Sequence, residues 1–168
     1  MKKILLTQGM EALVDDEDYC ELSRNIWFAV RFRKWWYAAR SSTNAEQESG
    51  YPRMLYMHRQ ILGLALEGQA FADHIDRNGL NNTRKNLRRA THAENQRNSG
   101  RPEGSKRPYK GVQEKKLKNG RSRWVVQLNA NSKCRYVGTF DDAISAAKAY
   151  DSMARLLYGE FACTNFPD

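Results

Sequence analysis

Hydrophobic and polar positions alternate in short runs along most of this chain. "KKILLT" and "EALVD" each carry the period of a short half-buried strand. "DEDYCELSR" shifts to helical spacing, and its opening acids suit the positive end of a helix dipole. "WFAVRFR" and "KWWYAARS" return to alternation and are rich in aromatics, so together they predict a hairpin. "YPRMLYMHRQILGLAL" begins as a strand and turns helical near His58. Trp27, Trp35, Trp36 and Tyr37 fit two readings: filling the core of a small sheet, or stacking on nucleic-acid bases.

The last third repeats the alternation. "YKGVQEK", "SRWVVQLN" and "KCRYVGTF" read as three strands joined by turns at "LKNGR" and "NANS", and Asn119-Gly120 is a strong hairpin signal. "DDAISAAKAYDSMARLLYG" then reads as a helix. Asp141 is its expected N-cap, Ala143, Ala147, Tyr150, Ala154 and Leu157 form its apolar stripe, and Gly159 is its stop. Such a helix covers one face of the sheet and leaves the other open. Between the halves, "GRPEGSKRP" has two prolines, two glycines and no apolar period, which marks a linker. The pattern predicts an α+β chain of two domains, residues 1–99 and 108–168, joined by residues 100–107. Residues 1–56 read as a β-rich extension of a core at 57–99.

Composition narrows the class. With 168 residues, 40% of them apolar and 11% aromatic, the chain can bury a core, which excludes wholesale disorder. No run approaches the roughly 18–20 apolar residues of a membrane span. The opening "MKKILLTQGMEALVDD" turns polar before a secretory segment develops, so a soluble, intracellular protein is expected. Cys20, Cys134 and Cys163 are widely spaced and form no C-x-x-C pair, against both a disulfide framework and a structural zinc site. Any metal is then expected on oxygen and imidazole nitrogen. Charge is uneven. Residues 101–136 hold 11 Lys and Arg against two acids, Glu103 and Glu114, and the rest of the chain balances 17 basic residues with 17 acidic ones. The whole net charge of +9 thus sits on about a fifth of the chain, which favours a polyanionic partner.

One segment stands out, "ADHIDRNGLNNTRKNLRRATHAENQRNS" from Ala72 to Ser99, with six asparagines, two histidines and three acids. Asparagine is a weak former of helix and strand and favours turns and caps. "FADHI" reads as a strand fragment with Asp73 and His74 on opposite faces. Asn78 to Asn82 read as a loop, and "KNLRRA" as a returning strand. Thr91 and Glu94 stand at capping-box spacing, so a helix is expected from Thr91, with Asn95 and Asn98 on one of its faces.

This strand–loop–strand–helix unit resembles the HNH endonuclease motif, a ββα-metal unit. It is most similar to the homing and phage-type branch, through "MHRQIL", "DHIDRNGLNNTRKNLR" and "THAENQRN". The resemblance implies Asp73 and Asn95 as metal ligands, His74 as general base and Asn86 as a brace of the loop. Asn95 stands where many relatives carry histidine, which makes this the Asn-ending variant. The chemistry is coherent without the family. One carboxylate and one amide oxygen suit a single Mg²⁺ or Mn²⁺ per chain, with water and phosphate completing the sphere. An imidazole with a pKa near 6.5 accepts a proton from water at neutral pH. His92 competes for the base role but has no neighbouring acid before it. His58 is expected to order backbone or contact phosphate.

The last module resembles the ethylene-response-factor (Apetala-two type) DNA-binding domain through "YKGV", "WVVQL", "YVGTFDDAISAAKAYD" and the closing "NFP". That resemblance implies a three-stranded sheet laid in the major groove. Alternation turns Trp124, Val126 and Leu128 toward the helix and leaves Arg123, Val125, Gln127 and Asn129 on the open face. Lys110, Gln113, Lys115 and Tyr136 are expected to share that face, with Arg121 beside it. Gln127, Asn129 and Arg123 are expected to address base edges and the lysines phosphates. Gln113, Cys134 and Tyr136 replace the arginines and tryptophan common in that family, so its sequence preference does not transfer.

Both resemblances imply a metal-dependent endonuclease on double-stranded DNA, acting as a monomer or weak dimer with no membrane or protein partner. Its expected place is the nucleoid or cytoplasm of a bacterial or phage-infected cell. The rival reading is a non-catalytic DNA-binding regulator with a degenerate nuclease fold. An RNA-directed nuclease fits less well, because the RNA major groove is too narrow for a sheet to read.

Overall fold

The alternating segments pair as antiparallel strands, and the residues between them carry the polar bonds that fix each pairing. The computed structural model describes every residue except Gln69, Glu103, Asn131, Ser132, Pro167 and Asp168. The architecture is α+β, with four small antiparallel sheets and five helices among the described residues. The chain divides into residues 1–95 and 96–168, each with its own apolar cluster. No described helix is long and apolar enough to cross a membrane. No disulfide joins the cysteines among the described residues.

In the first unit β1 (Lys2–Leu5) pairs with β2 (Glu11–Val14), which buries Ile4, Ala12 and Val14. Helix α1 (Asp16–Leu22) adds Leu22 to the same core. Strands β3 (Phe28–Phe32), β4 (Trp35–Ser41) and β5 (Met54–Tyr56) form a meander in that order. Trp27 is core, 1% exposed, whereas Trp35, Trp36 and Tyr37 are half-buried. Arg33 in the β3–β4 turn takes a left-handed φ of 56°, a conformation that disfavours an L side chain by about 1–2 kcal/mol.

A short helix α2 (Asn44–Glu48) follows that the periodicity does not announce. Thr43 and Glu46 close a capping box over it, and Glu46 also pairs with the buried Arg40. Helix α3 (Met57–Ile61) continues directly from β5, as expected near His58. Strands β6 (Phe71–His74) and β7 (Leu87–Ala90) then form a two-stranded sheet. The Thr91–Glu94 capping box starts α4 (His92–Asn98), with the Glu94 N–H donating to Thr91 Oγ1 at 3.2 Å and the Thr91 N–H to Glu94 Oε2 at 2.7 Å.

In the second unit β8 (Val112–Lys116), β9 (Ser122–Ala130) and β10 (Lys133–Phe140) form a sheet in the order β10–β9–β8, against which α5 (Ala143–Tyr158) packs. Asn131 and Ser132 of the expected "NANS" turn, and Pro167 of "NFP", lie outside the described residues. Two expectations are corrected. The first strand starts at Val112 rather than Tyr109, because Gly111 takes a φ of 72° and lies flat against the Tyr150 ring. The N-cap of α5 is Asp142, whose carboxylate accepts from the Ser145 N–H at 2.8 Å, while Asp141 pairs with Arg123. The buried stripe runs through Ala146, Ala147, Tyr150, Ala154 and Tyr158, with Ala143 and Leu157 at its margins. Asp151 is buried because it accepts from Asn165 and Phe166, which ties down the C-terminal segment.

Gly111→Ala is expected to destabilise the second unit by about 2 kcal/mol or more, since the new Cβ adds a left-handed strain to an overlap with Tyr150. A urea titration followed by far-ultraviolet circular dichroism reads this as a lower midpoint. An unchanged midpoint would refute the requirement for glycine.

Candidate functional site

Asp73 and His74 close β6, and the register of β7 sets Arg88 opposite Asp73 and Leu87 opposite His74. Asp73 is 4% exposed, and its Oδ2 accepts from Arg88 Nε at 2.8 Å and Nη2 at 2.7 Å. The pairing matters because an uncompensated buried carboxylate would be strongly destabilising. Spacing alone did not single out Arg88. The hairpin register could have found it, since it stands directly across from Asp73.

His74 is also buried. Its Nε2 lies 3.2 Å from Asn82 Oδ1, and the Asn82 amide nitrogen points to the Gly79 carbonyl at 3.5 Å. With that amide orientation Nε2 donates, so the neutral ring carries its lone pair on Nδ1. His58 packs edge-on against the ring at 4.9 Å between centroids, and Tyr37 lies 5.9 Å away. Burial lowers the His74 pKa from 6.5, against the opposing pull of the Asn82 hydrogen bond and the Asp76 and Asp73 carboxylates. His58 is pushed well below 6.5, first by burial, then by His74 and Arg59. Its Nδ1 is buried and has no hydrogen-bond partner among the described residues. Burial thus makes the His74 ring hold its proton less tightly than an ordinary histidine.

The asparagines build the loop between the strands. Asn86 ends a 3-10 turn, Arg84–Asn86, and is 7% exposed. Its Oδ1 accepts from the Asp76 N–H at 3.0 Å, and its Nδ2 donates to Asp76 Oδ1 at 2.9 Å and to the Asn81 carbonyl at 2.7 Å. Asp76 also accepts from the Asn78 N–H and from Asn81 Nδ2. Asn95 stands on α4, one turn beyond its cap and half-buried, and no hydrogen bond joins its side chain to Asp73 among the described residues. His92 is exposed at the start of the same helix, with its ring 5.4 Å from Phe71. The structure thus brings Asp73, His74 and Asn86 together around one hairpin and sets Asn95 on the helix that follows. Asn82, Asp76 and Tyr37 complete the surroundings, and no spacing in the sequence marks them.

The second unit presents a separate surface. Val126 and Leu128 are buried under α5 and Trp124 packs with them, which leaves Arg123, Val125, Gln127 and Asn129 on the far face. The register places Lys115 opposite Arg123, Gln113 opposite Val125 and Tyr136 opposite Gln127, on the same face. Arg121 is exposed in the turn before β9. Lys110 lies before β8, and its ammonium donates to the Arg97 and Ser99 carbonyls at 2.6 Å. A bulge between Tyr136 and Gly138 bends β10 along this face.

Over 134 residues, 77% of this chain, the sequence is 34% identical to a protein described as an uncharacterized HNH endonuclease from Acanthamoeba polyphaga mimivirus. Dehydration-responsive element-binding protein 2A of rice, Oryza sativa, is 37% identical over 41% of this chain. Dehydration-responsive element-binding protein 2D of Arabidopsis thaliana is 34% identical over 54% of it. The matched stretches span 66% of the viral protein's length, 24% of the rice protein's and 43% of the Arabidopsis protein's. No family model matches the chain, and no solved structure matches it significantly.

The lowered histidine pKa values have a consequence for stability. A histidine whose folded pKa lies below 6.5 contributes stability that is fully present above 6.5 and is lost as pH falls. The first unit is therefore expected to weaken on acidification below about pH 6.5. Asn82→Ala removes a bond that holds the His74 pKa up, so an NMR titration of the ring should place it lower still. A His74 pKa at or above 6.5 in the unaltered protein would refute the buried neutral ring.

Proposed function

This chain is a homologue of an HNH endonuclease over most of its length and of plant DNA-binding proteins over part of it, and from that premise we propose that it is a divalent-metal-dependent DNA endonuclease of the ββα-metal type. The observation that carries the reading is the juxtaposition of a buried neutral imidazole, His74, with a buried carboxylate, Asp73, at the end of one strand. The donor chemistry, one carboxylate and one amide oxygen, fits a hard divalent cation, which would share or displace Arg88 at the Asp73 carboxylate. Asp73 and Asn95 would hold Mg²⁺ or Mn²⁺, whose chemistry there is to polarise the scissile phosphate and neutralise charge on the leaving 3′ oxygen.

His74 takes the proton of the attacking water on Nδ1 while Asn82 fixes the ring through Nε2. Asn86 keeps the loop that delivers Asn82 closed. The aromatic wall of His58 and Tyr37 keeps bulk water from the ring and keeps it neutral. The second unit supplies the reader: Gln127, Asn129, Arg123 and Gln113 address base edges in the major groove, Lys115 and Arg121 contact phosphate, and Tyr136 packs beside them. With one metal per chain, a monomer nicks one strand of the duplex.

Supercoiled DNA is expected to become relaxed with Mg²⁺ or Mn²⁺, provided that genomic fragments from the protein's own source are included. A chelator should abolish the cutting. His74→Ala should slow it by about 10²–10⁴-fold, the range of a lost general base. Because the His74 pKa lies below its ordinary value, the rate should hold through neutral pH and fall only on acidification. DNA that is shifted on a gel but never cut would favour the second reading, a non-catalytic DNA-binding regulator, to which the plant relatives point.

A further inference from the structure

The hairpin of β3 and β4 ends in a two-residue turn, Arg33–Lys34, that the reading above leaves unused. Its tip carries Arg31, Phe32, Arg33 and Lys34, all exposed, with Phe32 60% exposed. The cations lie over aromatic rings: Lys34 Nζ is 4.9 Å from the Trp35 centroid, and the guanidinium carbons of Arg33 and Arg31 are 5.7 Å from Phe32 and 6.0 Å from Trp36. Arg31 Nε also donates to the Arg33 carbonyl at 2.9 Å. Among the described residues no carboxylate pairs with any of the three. No acid occurs in the sequence between Glu21 and Glu46.

The turn itself departs from what hairpin stability favours. Arg33 occupies a left-handed position, φ 56°, where glycine or asparagine is the usual occupant. The chain gives up turn stability and keeps a cation there. Breaking a local rule without a packing gain is a mark of a functional position. Phe32 adds a large apolar side chain that is mostly exposed.

The base of the hairpin is fixed to the His74 site. Tyr37 of β4 lies 5.9 Å from the His74 ring. Gly79 of the loop sits so close to the Trp36 carbonyl and the Tyr37 ring that any Cβ would collide with them. The register pairs Val30 with Tyr37, so at about 3.4 Å per residue the three residues from Tyr37 to Lys34 carry the tip about 10 Å from that anchor, within the width of the DNA major groove. A duplex cleaved at His74 therefore has backbone within reach of the tip.

We propose that the β3–β4 tip is a second contact with duplex DNA. Arg31, Arg33 and Lys34 pair with phosphates beside the cleaved bond, and Phe32 lies against sugar and base edges. The inference rests on the endonuclease reading and names a further part of its substrate-binding surface. The rings beneath the cations hold them extended, and the fixed base gives their phosphates a set distance from the base His74.

The test is equilibrium binding of the full chain to a fluorescein-labelled 30-base-pair duplex across a salt series. Each phosphate contact contributes about 0.9 to the slope of log K against log salt. The variant Arg31→Ser/Arg33→Gly/Lys34→Ser is expected to lower that slope by about 2–3 and to weaken binding roughly 10- to 100-fold at 0.1 M salt. Lys148→Ser, on α5, controls for net charge and should leave the slope unchanged. Arg33→Gly alone relaxes the turn, so it should raise the unfolding temperature while lowering the slope by about 1. This opposite movement is one that mere structural damage cannot produce, and it keeps the test valid if the triple variant fails to fold. An unchanged slope in Arg33→Gly, or in a folded triple variant, overturns the inference. If the unaltered protein still nicks DNA in that case, the endonuclease reading stands without it. An unaltered protein that neither binds the duplex nor nicks DNA overturns both.

Discussion

The side chain of Asn86 holds both ends of the loop that makes the site. It accepts from the Asp76 backbone just after β6 and donates to the Asp76 carboxylate and the Asn81 carbonyl. A buried amide is tolerated only when its donors and acceptors are satisfied, and this one is. The loop closed in this way delivers Asn82 to the His74 ring and lets β6 and β7 meet in the register that sets Arg88 across from Asp73. The loop is also sewn to the N-terminal hairpin, where the Leu13 N–H donates to the Leu80 carbonyl and the Asn82 N–H to that of Leu13. Arg84 adds a clamp to Asp15 and Asp18 at the start of α1. The first β-hairpin and helix are therefore the platform of the site.

On the proposed reading, the environment of His74 resolves two opposed demands. A nearby carboxylate raises the affinity of an imidazole for its proton, and a general base must be free of that proton at working pH. Asp73 and Asp76 both pull the His74 pKa upward, as does the bond to Asn82, yet burial outweighs them. His58 and Tyr37 supply that burial. His58 is itself held neutral, so the wall adds no positive charge beside the base. Arg88 meanwhile neutralises Asp73, which lets the carboxylate be buried without a cation from solution.

Much of this was legible in the sequence, and the omissions share a cause. Alternation located the paired strands, and Thr91 with Glu94 located α4, because both signals are local and the structure keeps them local. The face taken by Gln127 and Asn129 followed from the period of two once Val126 and Leu128 were known to be apolar. The first strand of the second unit was drawn too early because Gly111 breaks it for a tertiary reason, the Tyr150 ring lying where a side chain would go. Asp142 displaced Asp141 as cap because Asp141 is drawn to Arg123 across the sheet edge. Asn82 and Arg88 acquire their partners only when loop and hairpin close, so nothing in their spacing marks them.

The distribution of positive charge follows from the same chemistry. On the proposed reading the protein must attract a polyanion without placing cations against the base, because a nearby cation lowers the basicity of an imidazole, as Arg59 lowers that of His58. At physiological ionic strength, charges more than about 8 Å apart in solvent are largely screened from one another. Arg33 and Lys34 of the hairpin tip stand about 10 Å along the strands from the anchor at Tyr37, beyond that length. An excess of +9, equal to the chain's net charge, is gathered within residues 101–136, which lie wholly in the second unit. On that reading, the charge that binds phosphate and the ring that accepts a proton are carried by different parts of the chain.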